Sequence, residues 1–463
     1  DSSIRTVKEP SGVSGVQKLT DYYYDTASRL EVVVDGDGND SFTTYDADSN
    51  ILITTYTDVS TIVGVSDEVF EMTYGYDALN RRISSTDSAG NLTSTKFDSR
   101  SNQIESIDAR LNVTTNLFDG LGRLTQSTVE MTDTGDGSGL QLSGADGEIV
   151  TTRAYDDSSR LISEKDDNDK VTSYEYDELN RVRRIVMPDG EDYMTTFDHN
   201  GNVATYTDAR GVVISHAYDL NNRLASRVIS GTSVSGVTEE VFSYDGLGRL
   251  REAINEVGMD ELTKVVREYD SRSNVTREIQ NVEGPGFASV SDRIVQYEFD
   301  EANNTSQIVY PSGRVINRSY DELNRLASIA DPQMTLPITE FDYIGHRVQR
   351  RTNGNNTQTD YAYNGYTGYN GGPSTTDLGF GRVASISTTN STTTAVLDAF
   401  DFAWDKSQNR TTYDDTGSGM VNRRERSFGY DSSNRLVSTD VDYPDPLTDY
   451  TAPTNGGITD YAL

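Results

Sequence analysis

The chain has 463 residues, a formal net charge of −34, no cysteine, and only 34% hydrophobic residues. Such an acidic surface repels nucleic acid and anionic lipid, and the missing cysteines exclude disulfides and thiolate metal sites. No run of about 18 apolar residues is present, so no membrane-spanning helix, and no membrane insertion, is expected.

What remains is rich in Thr, Ser, Asn, Asp and Gly, with 28 Tyr. That is the composition of strands and turns rather than helices. Near the start, Pro10-Ser11-Gly12 has the form of a tight turn. A phrase then appears at Tyr24-Asp25 and returns through the whole chain: an aromatic residue, Asp, two variable residues, a small residue, then Arg or Asn. Its aromatic position is filled at Tyr24, Tyr45, Tyr76, Phe97, Phe118, Tyr155, Tyr176, Phe197, Tyr218, Tyr244, Tyr269, Phe299, Tyr320, Phe341, Trp404 and Tyr430, with Asp next in each of these 16 copies. The commonest step is 21 residues, and most others are that period plus an insert. A fixed period of this size marks a repeat architecture.

Each unit reads as two strands and two turns. Tyr174 and Tyr176, Phe242 and Tyr244, and Phe428 and Tyr430 stand two apart, so each pair shares one strand face. The phrase then turns, because its Asp can bond backbone ahead of it and its small residue (Ser159, Asn180, Gly201, Asn222) tolerates a left-handed conformation. A second turn follows about eleven residues after the aromatic, as in Asp87 to Gly90, Asp166 to Lys170 and Pro188-Asp189-Gly190. Turn signals at that spacing predict successive hairpins.

In chain order, Asp35-Gly36-Asp37-Gly38-Asn39 resembles the start of a calcium loop, and Asp35, Asp37 and Asn39 are weak Ca²⁺ candidates, outweighed by a surface turn. Asp133, Asp136 and Asp146 lie in the largest insert, from about 131 to 148, and offer a similar loop. The stretch 155–224 is the most regular. His199, His216 and His346 lack partners at metal-ligand spacing and read as structural, His346 standing in the Arg/Asn slot of the copy at Phe341. The step from Phe341 to Trp404 is 63 residues, three periods, and should hide two worn copies, for which Tyr363-Asn364 and Gly381-Arg382-Val383 are the remnants. Thr459-Asp460-Tyr461-Ala462 echoes Thr359-Asp360-Tyr361-Ala362.

The expected fold is all-β: one continuous array over residues 1–463 of about 21-residue β-hairpins forming a coiled or spiral sheet, a tube or shell. The copies are clear over about 22–350 and 400–440, and degenerate and loop-rich over about 351–399. The repeat already runs at Asp1 and still runs at Leu463, so the chain is expected to be a fragment of a longer one. The residues expected to build the repeat are Tyr24, Asp25, Tyr76, Asp77, Tyr155, Asp156, Tyr176, Asp177, Tyr218, Asp219, Tyr244, Asp245, Tyr320, Asp321, Tyr430 and Asp431. Their aromatics should form a stripe of cross-strand neighbours, with Tyr hydroxyls finding partners on a partly wet face.

Tyr244-Asp245-Gly246-Leu247-Gly248-Arg249-Leu250 and Phe118-Asp119-Gly120-Leu121-Gly122-Arg123-Leu124 resemble the unit of the YD-repeat, or Rhs-repeat, family. The resemblance covers nearly the whole chain. It implies a β-spiral enclosing a hollow shell, as in bacterial Rhs and toxin-complex proteins, wall-associated proteins and teneurins. Asp331-Pro332 and Asp445-Pro446 lack the Asp-Pro-x-Gly context at which bacterial shells of this family end.

No nucleophile–base–orienter set is visible. The expected function is therefore a non-catalytic structural protein without a cofactor, extracellular or on a bacterial surface, forming a tube, shell or filament wall for encapsulation or attachment. Its partners would be other parts of the same long chain, copies of itself, an enclosed polypeptide or surface glycans. The alternatives are the shell of an Rhs-type toxin-delivery protein and a carbohydrate-binding adhesin.

Overall fold

The structure, a computed structural model, describes residues 4–130, 148–231, 236–258, 260–282, 292–363, 381–416, 425–430, 434–442 and 459–460. Thirty-six strands follow one another from Ile4–Pro10 to Thr459–Asp460, and no helix occurs among the described residues. They form one sheet in which the described ladders are antiparallel and join chain neighbours. The residues group into two units: 1–122, 127–149 and 318–463 in one, 123–126 and 150–317 in the other.

The register shows why the period is 21. In the second unit, Tyr174 faces Ile185, Ile185 faces Tyr193, Thr195 faces Tyr206, and Tyr206 faces Ile214. These residues share one face and touch in pairs, with the rings of Tyr193 and Tyr206 stacked at 6.3 Å between centroids. The same face carries the ion pairs Arg153–Glu164 and Arg227–Glu240. It is thus amphipathic rather than apolar, which suits a single-layer sheet with little else to pack on it.

At each phrase whose ladder is described the register shifts by one residue, for example between Glu175 and Tyr176, where Tyr176 comes to face Val182. The residue left over there is Arg183 on the return strand, while the turn itself holds its small residue at φ 62° in Ser159, 64° in Asn180 and 59° in Asn222. Residues of that type accept the left-handed region at low cost, and the resulting bulge adds twist. The second turns use the same loop. Asp87 N–H donates to the Asn91 carbonyl at 3.2 Å and Gly90 N–H to the Asp87 carbonyl at 2.9 Å, matching Asp77 with Arg81 and Asn80. Each repeat is therefore two turns of one kind, alternating between the two edges of the sheet.

In the first unit, residues about 280 to 324 apart in sequence meet edge to edge. Second turns of the early hairpins sit on phrase turns of the late ones. A Cβ added to Gly12 would lie 2.2 Å from the Tyr320 Cβ. Thr61 N–H donates to the Tyr343 carbonyl and Gly345 N–H to the Val59 carbonyl, with a lone bridge between Ser60 and Ile344. Arg347 reaches Asp58 at 3.0 Å and Glu68 at 2.6 Å. Arg110 reaches Asp405, Asn434 and the Tyr430 carbonyl. Ser11, Arg110, Leu323 and Ile344 are all buried along this seam, and Ile344 is the most deeply buried large side chain. The tightest packing thus lies between edges, where two tiers of turns interlock.

Two sequence expectations are corrected here. The phrase assigned to Phe341 begins two residues later: the ladder shifts between Asp342 and Tyr343, the Tyr343 hydroxyl donates to the Leu326 carbonyl at 2.7 Å, and Arg347 rather than His346 fills the cation slot. The turn there is shortened to Gly345-His346, which hid the frame. The two worn copies expected between Phe341 and Trp404 are halves of one. Tyr363 faces Val383 across the bulge, so Tyr363 and Gly381-Arg382-Val383 open and close a single phrase split by an insert. Asn364 lies outside the described residues.

Candidate functional site

The repeated phrase builds one constellation many times, and Asp177 shows it. One carboxylate oxygen accepts the N–H groups of Leu179 at 2.9 Å and Arg181 at 3.0 Å. The other accepts the Arg181 guanidinium, with nitrogens at 2.6 and 2.7 Å. Asp25 with Arg29, Asp77 with Arg81, Asp156 with Arg160, Asp219 with Arg223, Asp245 with Arg249 and Asp321 with Arg325 repeat this pairing. Where Asn replaces Arg, its side-chain amide takes the second oxygen, as Asn202 does on Asp198 at 3.0 Å.

The Arg also reaches forward to the next phrase. The Arg181 Cζ lies 4.0 Å from the centroid of Phe197, and the same guanidinium-on-ring contact joins Arg29 to Tyr45, Arg123 to Tyr155, Arg160 to Tyr176, Arg223 to Tyr244 and Arg382 to Trp404. The ring beneath is pinned from its far end. The Tyr155 hydroxyl donates to the Leu124 carbonyl at 2.8 Å, Tyr176 to Leu161 at 2.8 Å, Tyr218 to Val203 at 3.1 Å, Tyr244 to Leu224 at 2.8 Å and Tyr430 to Arg410 at 3.1 Å. Several Arg side chains also donate to the carbonyl of the next phrase Asp, as Arg81 does to Asp98 at 3.0 Å. The stripe expected from ring on ring is therefore an alternation of cation and ring. None of the ring stackings among the described residues joins two phrase aromatics; Tyr56 lies on Phe70, for example. Spacing could have revealed this, since Arg81 to Phe97, Arg160 to Tyr176 and Arg181 to Phe197 are each 16 residues.

The electrostatics follow from these bonds. The Arg N–H and guanidinium hold the carboxyls of Asp25, Asp77, Asp156, Asp177, Asp219 and Asp245 below the ordinary carboxylate value. Burial pushes the Tyr176 and Tyr430 hydroxyls up. Glu68 is also pushed up, by burial first, although Arg347 opposes this. His216 stacks on Tyr218 with ring centroids 6.4 Å apart, and burial lowers its basicity.

Tyr24, Tyr76 and Tyr320 occupy the same frame, each at a ladder end beside its Asp. Asp431 lies outside the described residues, as do Asp133, Asp136, Asp146 and Asp445-Pro446. The calcium candidates form an ordinary second turn. One oxygen of Asp35 accepts the N–H groups of Asp37 and Asn39, and the other accepts the Asn39 amide at 2.8 Å. Asp37 turns to Arg325, and the Asn39 side-chain amide oxygen accepts the Val59 N–H at 2.7 Å. These oxygens point at N–H donors rather than converging on one point. No cluster of three or more His, Cys, Asp or Glu able to hold a metal occurs among the described residues.

A constellation whose charges satisfy one another, copied from turn to turn, ties each hairpin to the next. Comparison with known proteins agrees with a wall. A family model described as Teneurin YD-shell matches residues 91–207. A protein of Dickeya dadantii (strain 3937) named probable deoxyribonuclease RhsB is 23% identical over 257 residues, 47% of this chain but 18% of that protein. A crystal structure of TcdB2-TccC3 without its hypervariable C-terminal region superposes with a TM-score of 0.73 at 14% identity, covering 94% of this chain and 24% of that one. A Photorhabdus luminescens Tc holotoxin pore superposes at 0.66, with 14% identity over 93% of this chain and 24% of that one. The chain therefore spans about a fifth to a quarter of the length of these relatives.

Proposed function

We propose that the chain, which resembles the YD-repeat, or Rhs-repeat, family, is a non-catalytic wall segment of a shell, in a protein exported from or displayed on a bacterium, and that the wall encloses or shields another polypeptide. The observation that carries this reading is the chained staple: Asp177 to Arg181, Arg181 to Phe197, and Asp198 onward to Asn202. It spends the phrase's charges on joining neighbours, as a wall requires and an active site does not. The amphipathic face with Tyr174, Ile185, Tyr193 and Tyr206 suits a polypeptide neighbour better than nucleic acid, which the charge of −34 repels.

A second reading, the shell of a toxin-delivery protein, draws on the likeness to RhsB and to TcdB2-TccC3. The nuclease activity in the first name concerns a protein of which this chain matches only 18%. Negative-stain micrographs and small-angle scattering of the purified protein test the wall. A stain-filled interior and a pair-distance distribution weighted toward long distances are expected. A solid, compact particle would sink the proposal.

A further inference from the structure

The seam of the first unit contains a cluster in which two carboxylates share one cation. Asp58 and Glu68 face each other across the ladder of strands Ile51–Asp58 and Glu68–Tyr76. Both accept from a single nitrogen, Nη2 of Arg347 on the late strand Arg347–Asn353, at 3.0 and 2.6 Å. The side chains of Asp58, Glu68 and Arg347 are only 20%, 19% and 17% exposed, so water screens the two negative charges poorly. Arg325, elsewhere in the seam, also meets two carboxylates, but it gives Nη2 to Asp37 and Nε to Asp321.

The cluster cannot relax by drawing apart, because the seam clamps it. Gly345 presses on Asp58, and a Cβ added to it would stand 2.4 Å from the Asp58 Cγ. Thr61 N–H reaches the Tyr343 carbonyl at 2.8 Å, Gly345 N–H reaches the Val59 carbonyl at 3.0 Å, and the Ser60 hydroxyl donates to the Gln349 side chain at 2.7 Å. Arg347 lies over the ring of Tyr363, its Cζ 4.8 Å from the centroid, and the Tyr363 hydroxyl donates to the Val348 carbonyl at 2.6 Å. Of the other ionisable neighbours, Asp67 accepts the Ser60 N–H at 3.1 Å, and His346 is exposed. Among the described residues, Arg347 is the cation that acts on Glu68.

A proton removes the imbalance. With Glu68 neutral, Asp58 and Arg347 form a one-to-one pair, and the Glu68 carbonyl oxygen still accepts from Arg347. Burial first, and Asp58 in addition, push the Glu68 carboxyl above its ordinary value against the pull of Arg347. Such an acid holds its proton more tightly folded than unfolded, so stability rises as pH falls through the folded value and is lost as pH rises through it. The sign is opposite to that of the phrase Asp residues, whose contribution is lost in acid.

We propose that Asp58, Glu68 and Arg347 form a proton-operated latch: the seam closes firmly when Glu68 takes up a proton and loosens when it releases it. On the wall-forming reading, the wall yields first at this seam as its surroundings turn from mildly acidic to neutral or alkaline. The latch needs only the seam, so it stands or falls apart from that reading.

Native-state hydrogen exchange of the purified protein tests this from about pH 5 to 7.5, with rates corrected for the intrinsic pH dependence of exchange. Protection at the seam amides of Thr61, Tyr343 and Gly345 should rise severalfold toward the acid end, while the ladder amides around Tyr174 and Ile185 stay level. Glu68→Gln should be firmly protected at both ends and lose the pH dependence. Asp58→Asn, which removes the other charge, should flatten it too, and His346→Gln should respond as wild type does. A general relief of the charge of −34 would instead raise the distant ladder as much as the seam and leave Glu68→Gln responding like wild type. Either result overturns the proposal, as does a response abolished by His346→Gln. A solid particle in micrographs would remove the wall and leave the latch, whereas seam protection that stays flat with pH would remove the latch and leave the wall.

Discussion

The guanidinium of Arg249 serves two repeats at once: it pairs with Asp245 at 2.7 Å and lies over the ring of Tyr269, with its Cζ 4.5 Å from the centroid. It also donates to the Asp270 carbonyl at 2.8 Å. Cation, ring and carboxylate thus bind one hairpin to the next, and only a planar fork can do all three. Arg249→Lys should lower the melting temperature, and Arg249→Met should lower it further. A double-mutant cycle with Tyr269→Leu should give a coupling of about 0.5–1 kcal/mol. Zero coupling would show that the stacked geometry carries no energy.

The phrase Tyr is held by its hydroxyl as well as its ring. Tyr244→Phe removes the bond to the Leu224 carbonyl, 2.8 Å long, and should cost about 1 kcal/mol in urea denaturation. The reverse change, Phe197→Tyr, places a hydroxyl in the position where Tyr176 meets Leu161, and should be neutral or stabilising. A destabilised Phe197→Tyr variant would refute the equivalence of the repeats.

The seam makes a steric prediction with an internal control. Gly12→Ala drives a Cβ to within 2.2 Å of the Tyr320 Cβ and should cost about 1–3 kcal/mol. Gly120 has no neighbour within 4 Å of an added Cβ, so Gly120→Ala should leave the melting temperature unchanged or slightly raised. Equal effects of the two changes would count against the seam.

Acid should loosen the staples. The carboxyls of Asp77, Asp177 and Asp219 sit below their ordinary value of 3.8, held there by Arg81, Arg181 and Arg223. A depressed folded pKa contributes stability that is fully present above the unfolded value and is lost as pH falls through the folded one. The urea midpoint should therefore be flat for these groups above about pH 5 and fall below about pH 4. Replacing the staple Asp residues by Asn should flatten that fall. A midpoint indifferent to pH over that range would contradict the assignment.

Asp35, Asp37 and Asn39 already spend their oxygens on N–H donors and on Arg325. Adding chelator should leave the thermal melt unmoved, and a drop in melting temperature would reopen the calcium reading.

The turn chemistry was legible because it is local: Asp, a residue tolerant of positive φ, and Arg or Asn complete a bonded loop within five residues, and any copy can be read alone. The period followed from this, and with it the all-β repeat. Reading failed at Phe341 because two adjacent aromatics flank Asp342, and only the pairing of Tyr343 with Val348 decides the frame. It failed at Tyr363 because an insert split one phrase, which only the pairing with Val383 rejoins.

By itself, then, the sequence determined the hairpin, its two turns and their repetition, since those depend on residues a few positions apart. The tertiary structure alone decided which Leu is a covered knob and which is exposed. Leu79 and Leu323 stand in the same phrase, and what separates them is a second turn almost three hundred residues away, Asp35 to Asn39, whose arrival depends on the path of the whole sheet.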